Sequence, residues 1–226
     1  LMIDLDPQGN TTSGLGMEVD DKSIYEVIMG RMKLTDVMEE TEFKNLFIAG
    51  SDVRLANAEL ELVEVEKREY RLKTAVQSVQ QDFDFIFIDC PPSLGLLTIN
   101  ALGAADSVLI PIQCEYYALE GVASLMNTIS RVKKTINPHL EIEGVLLTML
   151  DGRTNLGLQV VDEVKKHFKK QVYATVIPRS VRLGEAPSHG EPIHVYDKRS
   201  AGCVAYVNLA KEVLKRNNIK VKEFKL

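Results

Sequence analysis

Short apolar runs rich in valine and isoleucine alternate along this chain with longer stretches of helical period. Runs that are apolar on both faces are typical of strands in a parallel sheet that is covered on both sides. Alternating strands and helices form right-handed crossovers. The sequence therefore predicts an α/β fold, with a mostly parallel sheet covered by helices on both faces. The predicted strands are 1–5, 45–49, 84–89, 107–112, 142–150 and 172–177, and the predicted helices are 68–81, 96–104, 119–136, 156–169 and about 201–216.

The chain has 226 residues, of which 45% are hydrophobic, and no proline, serine or glycine tract. A chain of this size can bury a sizeable core, so we expect one globular domain over residues 1–226. No apolar run reaches the roughly 18 residues of a membrane span, and the start does not resemble a signal peptide. We therefore expect a cytoplasmic protein. The three cysteines are too widely spaced to indicate a disulfide framework or a metal site.

The formal net charge of −5 conceals a gradient along the chain. Residues 36–69 are acidic, and two helix-like segments, 24–29 and 34–40, either meet a partner or simply cover the sheet. Basic residues cluster further along, where the ordinary interpretation is a solvated helix face and the alternative is an anionic partner such as DNA. The basic clusters are Lys165, Lys166, Lys169 and Lys170, and then Lys211, Lys215, Arg216, Lys220, Lys222 and Lys225.

Polar segments follow four of the predicted strands. Ligands of a parallel sheet bind at the carboxyl ends of its strands, so these segments are the first place to look for chemistry. Because all four lie at the same edge of the predicted sheet, the sequence predicts one composite site. The segments are 6–14, 89–93, 151–155 and 178–182.

Asp89 ends the apolar strand 84–89, which is the form of a Walker B carboxylate that holds magnesium directly or through a water. An aspartate that ends a strand is also a common helix cap or turn former, so the pattern leaves both interpretations open. Asp6, at the end of a neighbouring predicted strand, favours the magnesium interpretation. Two carboxylates at adjacent strand ends repel each other unless a cation or a proton lies between them.

Asp6 is the candidate catalytic residue, because a carboxylate at this position could orient or deprotonate an attacking water in phosphoryl transfer. The glycines that follow, Gly9, Gly14 and Gly16, predict a mobile loop that can reorder around a phosphate. The alternative is an Asp-Pro turn that closes the strand.

Arg153 and Arg182 are predicted to lie in polar loops at the same edge, and neither fits an apolar period. The planar guanidinium donates two parallel hydrogen bonds to phosphate, which could belong to a nucleotide or to DNA. The alternative for each is a surface salt bridge.

A complete phosphate cradle is not found in the sequence. The loop G-x-x-x-x-G-K-[ST] requires a Gly-Lys pair, since its lysine must reach the β- and γ-phosphates. None of the 14 glycines of this chain is followed by lysine.

The sequence resembles the ParA/Soj family of chromosome-partitioning ATPases, deviant Walker relatives of the MinD type, over nearly its whole length. Residues 1–16, LMIDLDPQGNTTSGLG, are similar to the family's Walker A′ and switch segment. Residues 87–102, FIDCPPSLGLLTINAL, are similar to its Walker B region. Three further segments look like Soj: residues 111–121, 144–155 and 177–192.

The resemblance implies a fold of the P-loop NTPase type, with ATP and Mg²⁺ as ligands. The family begins with a strand, a P-loop and a helix, so we expect a single ParA-type ATPase domain, N-terminally truncated. The missing strand would leave two apolar strand edges unpaired. The resemblance further implies a hydrolytic Asp6, a switch loop formed by Pro7, Gln8, Gly9 and Asn10, a magnesium carboxylate at Asp89, an adenine site near Met149 and Pro178, and DNA-binding residues Arg153 and Arg182.

The family's partners follow from the same resemblance. They are a second subunit in an ATP-dependent homodimer, the non-specific DNA of the nucleoid, and a ParB-like centromere-binding protein that triggers hydrolysis. One alternative is a remnant that binds DNA or a partner without hydrolysing ATP. The other is a MinD-like positioning ATPase on membranes, which is disfavoured because residues 219–226 are short and alternate with a period nearer two. We therefore expect a nucleoid-associated protein with no membrane partner.

Overall fold

The computed structural model describes residues 1–115 and 118–220. The chain divides into two compact units. The N-terminal unit comprises Leu1–Asp106 and Thr128–Leu140, and the C-terminal unit comprises Ser107–Asn127 and the chain from Glu141 onward. The expectation of a single domain over 1–226 stays a prediction. The membrane alternative was judged on the C-terminal segment 219–226. Of this segment, the residues from Val221 onward lie outside the described residues.

The N-terminal unit contains a sheet of strand order β2-β3-β1-β4. Strand β1 pairs in parallel with both β3 and β4, whereas β2 pairs with β3 in the antiparallel sense. Within the described residues, β4 ends this sheet with an unpaired edge, on which Phe87 is 47% exposed. The strands are β1 (Met2–Asp4), β2 (Met38–Glu40), β3 (Phe47–Ala49) and β4 (Phe87–Asp89).

Short helices pack around this sheet and enclose a core that includes Ile3, Leu5 and Leu55, all with no exposed surface. Burial of apolar surface of this kind is the main favourable contribution to folding. The helices are α1 (Asn10–Gly14), α2 (Ile24–Ile28), α3 (Leu34–Val37), α4 (Leu55–Glu61), α5 (Arg71–Gln77) and α6 (Leu96–Ala104), with a 3₁₀ turn at Arg68–Tyr70.

The C-terminal unit contains a parallel sheet of order β5-β6-β7. In the described part of the chain, β5 ends this sheet with an unpaired edge. The strands are β5 (Ser107–Gln113), β6 (Glu141–Leu150) and β7 (Val172–Pro178). The helices are α7 (Ala118–Thr135), which continues into the N-terminal unit, α8 (Asn155–Phe168), α9 (Val181–Glu185), α10 (Ile193–Tyr196) and α11 (Ala201–Arg216), with 3₁₀ turns at Lys169–Gln171 and Ala186–His189.

The C-terminal end of α11 is fixed to β6 and β7 by Arg216. Its guanidinium donates to the carbonyl oxygens of Glu143 and Val172 at 3.1 and 3.0 Å, and lies 3.8 Å from the centre of the Tyr173 ring. Asn217 caps the helix, and Asn218 adopts the left-handed conformation, with φ of 58°, that asparagine tolerates at a helix C-terminus.

All six predicted strands are present, and the predicted α/β architecture with mostly parallel strands is confirmed. The prediction of one helix over 34–40 is wrong, because α3 ends at Val37 and Met38–Glu40 pair with β3 instead. Helix α4 was not predicted from the sequence, although Leu55, Ala58 and Leu62 have the helical spacing of a buried face. In the acidic stretch 36–69, these apolar side chains belong to the core that covers the sheet. No described helix is long and apolar enough to cross a bilayer.

Candidate functional site

Strands β1 and β4 bring the two predicted carboxylates to one edge of the N-terminal unit. Asp4 and Asp89 are register partners at the ends of the paired strands, and the Leu5 amide continues the pairing with a hydrogen bond to the Asp89 carbonyl at 2.8 Å. Asp6 follows two residues after Asp4. The predicted placement of Asp6 and Asp89 at neighbouring strand ends is therefore confirmed.

Asp6 begins a tight turn. Its Oδ1 accepts a hydrogen bond from the Gln8 amide at 2.9 Å, and its carbonyl accepts one from the Gly9 amide at 3.0 Å. Gly9 adopts the left-handed conformation, with φ of 64°, and α1 begins at Asn10. Asn10–Gly14 are helical, so Asn10 lies on α1 and not in the predicted switch loop, and the mobility predicted from the glycines stays a prediction. The Asp-Pro turn considered as an alternative is present, and it leaves the carboxylate of Asp6 half-exposed.

The Asp89 carboxylate is held by α1. Thr11 Oγ1 donates a hydrogen bond to Asp89 Oδ2 at 2.6 Å. Hard oxygen donors of this type suit Mg²⁺, which typically takes one or two carboxylates and completes its octahedron with waters and substrate phosphates. Among the described residues no group of three or more His, Cys, Asp or Glu could hold a metal ion. The donor set therefore fits magnesium bound mainly by waters and phosphates, and does not form an all-protein cage.

Asp4 is the residue of this site that the sequence reasoning missed. It has no exposed surface, yet its carboxylate accepts hydrogen bonds from the amide and hydroxyl of Thr12 at 2.8 and 2.6 Å and from the Asp6 amide at 3.2 Å. Burial raises the pKa of Asp4, and the hydrogen bonds from Thr12 and Asp6 oppose that rise. A charged residue inside an otherwise apolar strand was the available signal, since such a group needs buried partners.

Cys90, directly after Asp89, is not set up as a nucleophile. Burial, followed by the negative charges of Asp89 and Asp6, raises the pKa of its thiol to about 12. The thiolate is the reactive form of cysteine, so this thiol stays protonated near neutral pH.

Met149 and Pro178 come together in the C-terminal unit. Leu150, next to Met149, is the register partner of Pro178, and the Leu150 carbonyl accepts a hydrogen bond from the Arg179 amide at 3.0 Å. Met149 has a φ of 53°, in the left-handed region that a residue with a side chain rarely adopts. Strain of this kind is concentrated at functional sites.

Arg153 and Arg182 lie near the same ends of β6 and β7, and both are engaged in ion pairs. Arg153, whose side chain is 89% exposed, binds Asp151 through two parallel hydrogen bonds, Nε to Oδ1 at 2.9 Å and Nη2 to Oδ2 at 2.7 Å. Arg182 donates to Glu185 at 2.8 Å and lies 3.5 Å from Asp197. Contrary to the sequence prediction, Arg182 lies on helix α9 and not in a loop.

These ion pairs set the protonation of the carboxylates. The hydrogen bonds from Arg153 hold the pKa of Asp151 well below its usual range, and the hydrogen bond from Arg182 lowers the pKa of Glu185. Both carboxylates are therefore ionised at neutral pH. In the N-terminal unit, the structure brings the switch residues together with Asp89. In the C-terminal unit, it brings together Met149, Pro178 and the two arginines. A single composite site formed by both groups stays a prediction.

The sequence and the fold both match known proteins. Residues 1–142 match a family model described as an AAA domain. The chain is 58% identical to the sporulation initiation inhibitor protein Soj of Bacillus subtilis, over 94% of this chain and 85% of that protein. It is 50% identical to the chromosome partitioning protein ParA of Myxococcus xanthus, over 97% of this chain and 78% of that protein.

Among solved structures, the fold is similar to a cobyrinic acid a,c-diamide synthase from Mycobacterium smegmatis with bound ADP and magnesium. The TM-score is 0.83 and the identity is 35%, over 96% of this chain and 82% of that one. Matches of this identity and coverage show that the chain belongs to the Soj/ParA family of P-loop NTPases.

Proposed function

We propose that this protein is a Mg²⁺-dependent ATPase that partitions chromosomal or plasmid DNA, with Asp6 as its hydrolytic residue. The observation that carries the proposal is the parallel pairing of β1 with β4, which places Asp89 at the end of β4 and Asp6 two residues beyond the end of β1, at one edge of the sheet. Phosphoryl transfer requires a group that positions water and a cation that neutralises phosphate charge. Asp6 is the group that positions water, and Asp89 is the ligand for the cation.

Asp6 orients and deprotonates the attacking water. Its Oδ1 already accepts a hydrogen bond from the Gln8 amide, so the turn fixes the direction of the carboxylate. The switch loop, Pro7 to Asn10, follows Asp6 directly and leads from it into α1. A positioned general base of this kind contributes on the order of 10²-fold or more to the rate.

Asp89 would hold Mg²⁺ directly or through a water, and the ion would neutralise charge on the phosphates when it is bound. The relative from Mycobacterium smegmatis binds ADP and magnesium, which supports the same ligands here. In the C-terminal unit, the strained backbone at Met149 and the adjacent strand end at Pro178 support these two residues as the adenine site.

Arg153 and Arg182 bind the phosphate backbone of DNA without reading its sequence. Both are exposed and lie next to acidic residues that fix the direction of their guanidinium groups. The relatives named for chromosome partitioning support DNA of the nucleoid as the partner. ATP joins two copies into the dimer that binds DNA, and a ParB-like centromere-binding protein triggers hydrolysis and release. Dimerisation, DNA binding and hydrolysis take place in the cytoplasm, on the nucleoid.

The test compares ATP-dependent DNA binding by the full-length gene product and by its Asp6→Asn variant. The variant keeps ATP unhydrolysed, so we expect it to stay on a DNA of arbitrary sequence in the presence of ATP and Mg²⁺ while the wild type dissociates as ATP is consumed. An Arg153→Ala, Arg182→Ala double variant serves as the control for the binding surface. Equal dissociation of wild type and Asp6→Asn would contradict the proposal.

A further inference from the structure

The side chain of Thr12, on α1, is almost completely buried and makes hydrogen bonds in two directions. Its hydroxyl donates to Asp4 Oδ2 at 2.6 Å and accepts from the Ser51 amide at 3.0 Å. The Thr12 amide donates to the same Asp4 oxygen at 2.8 Å. A threonine hydroxyl has one proton, and an amide can only donate, so these contacts fix the direction of the Thr12 hydroxyl.

The Asp4 carboxylate connects both ends of the segment that contains the switch loop. Oδ2 accepts the two hydrogen bonds from Thr12, after the loop, and Oδ1 accepts the hydrogen bond from the Asp6 amide, before it. One buried group therefore determines how far apart the two ends of the segment can lie. Because Asp4 lies on β1, the segment is fixed to the sheet.

The segment directly after β3, Gly50–Ser51, contacts the switch segment from the other side. A Cβ added at Gly50 would clash with the side chain of Val19 and lie 3.0 Å from Thr12 Cγ2, so only glycine fits there without movement. A Cβ at Gly9, in the switch loop, would lie 3.5 Å from the Ser51 carbonyl oxygen. The Gly50–Ser51 segment thus packs against the switch segment at Thr12 and at Gly9.

We propose that Thr12 is a positioning residue for Asp6. The Thr12 hydroxyl links the Asp4 carboxylate to the Gly50–Ser51 segment and so holds the switch loop in the geometry needed for hydrolysis. This inference rests on the proposed role of Asp6 and assigns a role in hydrolysis to three groups outside the switch loop. The contacts of the Thr12 hydroxyl are to Asp4 and Ser51, so its role is that of a positioning residue.

The chemistry of this cluster indicates a role in positioning beyond a structural one. Burial of a carboxylate is costly even when it is hydrogen-bonded, and an apolar pair at the same place would commonly stabilise the fold as well or better. What a buried carboxylate with three donors provides is a fixed direction for each donor. Catalysis by positioning depends on such fixed directions, since a displacement of about 1 Å can reduce a rate about 100-fold.

The experiment measures kcat and KM for ATP hydrolysis in three variants of the full-length gene product. Thr12→Val keeps the shape of the side chain and removes the hydroxyl, so we expect kcat to fall about tenfold while KM changes less than about twofold. Thr12→Ser restores the hydroxyl and should recover most of kcat. Ser51→Ala is the matched control, because the amide of Ser51 makes the contact to Thr12, whereas its buried Oγ has no hydrogen-bond partner within the described residues.

A second control separates positioning from loss of stability. Ile110→Val removes one buried methylene from β5, in the C-terminal unit, and should lower the melting temperature without lowering kcat. The inference is overturned if Thr12→Val retains wild-type kcat, or if Thr12→Ser fails to restore it, in a protein whose Asp6→Asn variant is inactive. If Asp6→Asn retains activity, the proposed function itself fails, and this outcome is distinct from the other two.

Discussion

The hydroxyl of Thr11 donates a 2.6 Å hydrogen bond to the carboxylate of Asp89, joining residues that are 78 positions apart in the chain. Thr11 lies in the first turn of α1, directly after the switch loop, and Asp89 ends β4. Through this contact the segment that carries the hydrolytic candidate also holds the magnesium candidate. A movement of α1 would therefore change the environment of both.

Replacement of Thr11 by valine should lower the free energy of unfolding by about 1–2 kcal/mol, because the hydrogen bond is made to a charged group. Chemical denaturation of the wild type and the variant measures the difference. Thr11→Ser keeps the hydroxyl and should lose less than half as much. Equal losses in the two variants would show that the methyl group of Thr11, and not its hydroxyl, makes the contribution.

Met149→Gly should be more stable than Met149→Ala by about 1 kcal/mol. Both variants remove the half-buried side chain, but only glycine adopts the φ of 53° at Met149 without strain. Part of this gain is offset by the greater entropy that glycine loses on folding. Thermal unfolding of the two variants in parallel measures the difference, and an alanine variant as stable as the glycine variant would show that this backbone is unstrained.

Asp151→Asn should strengthen binding to DNA of any sequence a few-fold at low salt. The substitution removes a negative charge next to the proposed phosphate contact and releases the Arg153 guanidinium from its two parallel hydrogen bonds. Arg153→Ala should weaken binding equally for all sequences and reduce the slope of log affinity against log salt by about 1 for each site. Binding isotherms at several salt concentrations distinguish these effects, and a sequence-dependent loss would indicate base reading instead.

Glu212 should stabilise the C-terminal unit in a pH-dependent manner. Its carboxylate accepts hydrogen bonds from the amides of Ala174 and Thr175 at 2.8 and 3.0 Å, where the register of β6 and β7 shifts, and from Arg216 at 3.2 Å. Burial alone would raise the pKa of Glu212, but these hydrogen bonds outweigh burial and lower the pKa below its ordinary value of 4.5.

Because the pKa in the folded state is the lower one, the contribution of Glu212 is complete above pH 4.5 and is lost as the pH falls through the folded-state value. We expect Glu212→Gln to cost about 2 kcal/mol at pH 7, since an amide cannot accept at both oxygen positions, and to cost progressively less below pH 4.5. Denaturation at a series of pH values, with Lys211→Gln as the control on the exposed neighbour, checks this. A difference that does not change with pH would contradict it.

The strands were predicted well because each is covered on both faces and is therefore a continuous apolar run. Such a run can be recognised in the sequence without knowing which strands pair with it. The sequence did not predict that the helical pattern of 34–40 would end at Val37. Met38–Glu40 instead gain backbone hydrogen bonds from Phe47–Ala49, a long-range pairing that outweighs local preference. In the switch segment the glycines suggested a loop, whereas Gly9 is the N-cap of α1 and the helix begins at Asn10.

The strand ends were a sound guide to the candidate site, since parallel pairing necessarily places Asp6 and Asp89 at one edge. The ion pairs of Arg153 and Arg182 were harder to predict from the sequence. Asp151 is only two residues from Arg153 and Glu185 three residues from Arg182, but whether such neighbours pair depends on side-chain directions that the turn and α9 determine. Thr12 and Ser51 could not be identified in advance, because their contact joins two segments that only the folded sheet brings together.

The most direct test of the account is the rate of ATP hydrolysis under single-turnover conditions, measured for the full-length gene product with Mg²⁺ and for its Asp6→Asn variant. Binding of ATP to both proteins is first established from the shift in melting temperature that a bound ligand produces. The account predicts that Asp6→Asn binds ATP as the wild type does and hydrolyses it about 100-fold more slowly, as expected for loss of a general base. Equal hydrolysis rates in the two proteins would contradict it and would remove Asp6 from the mechanism.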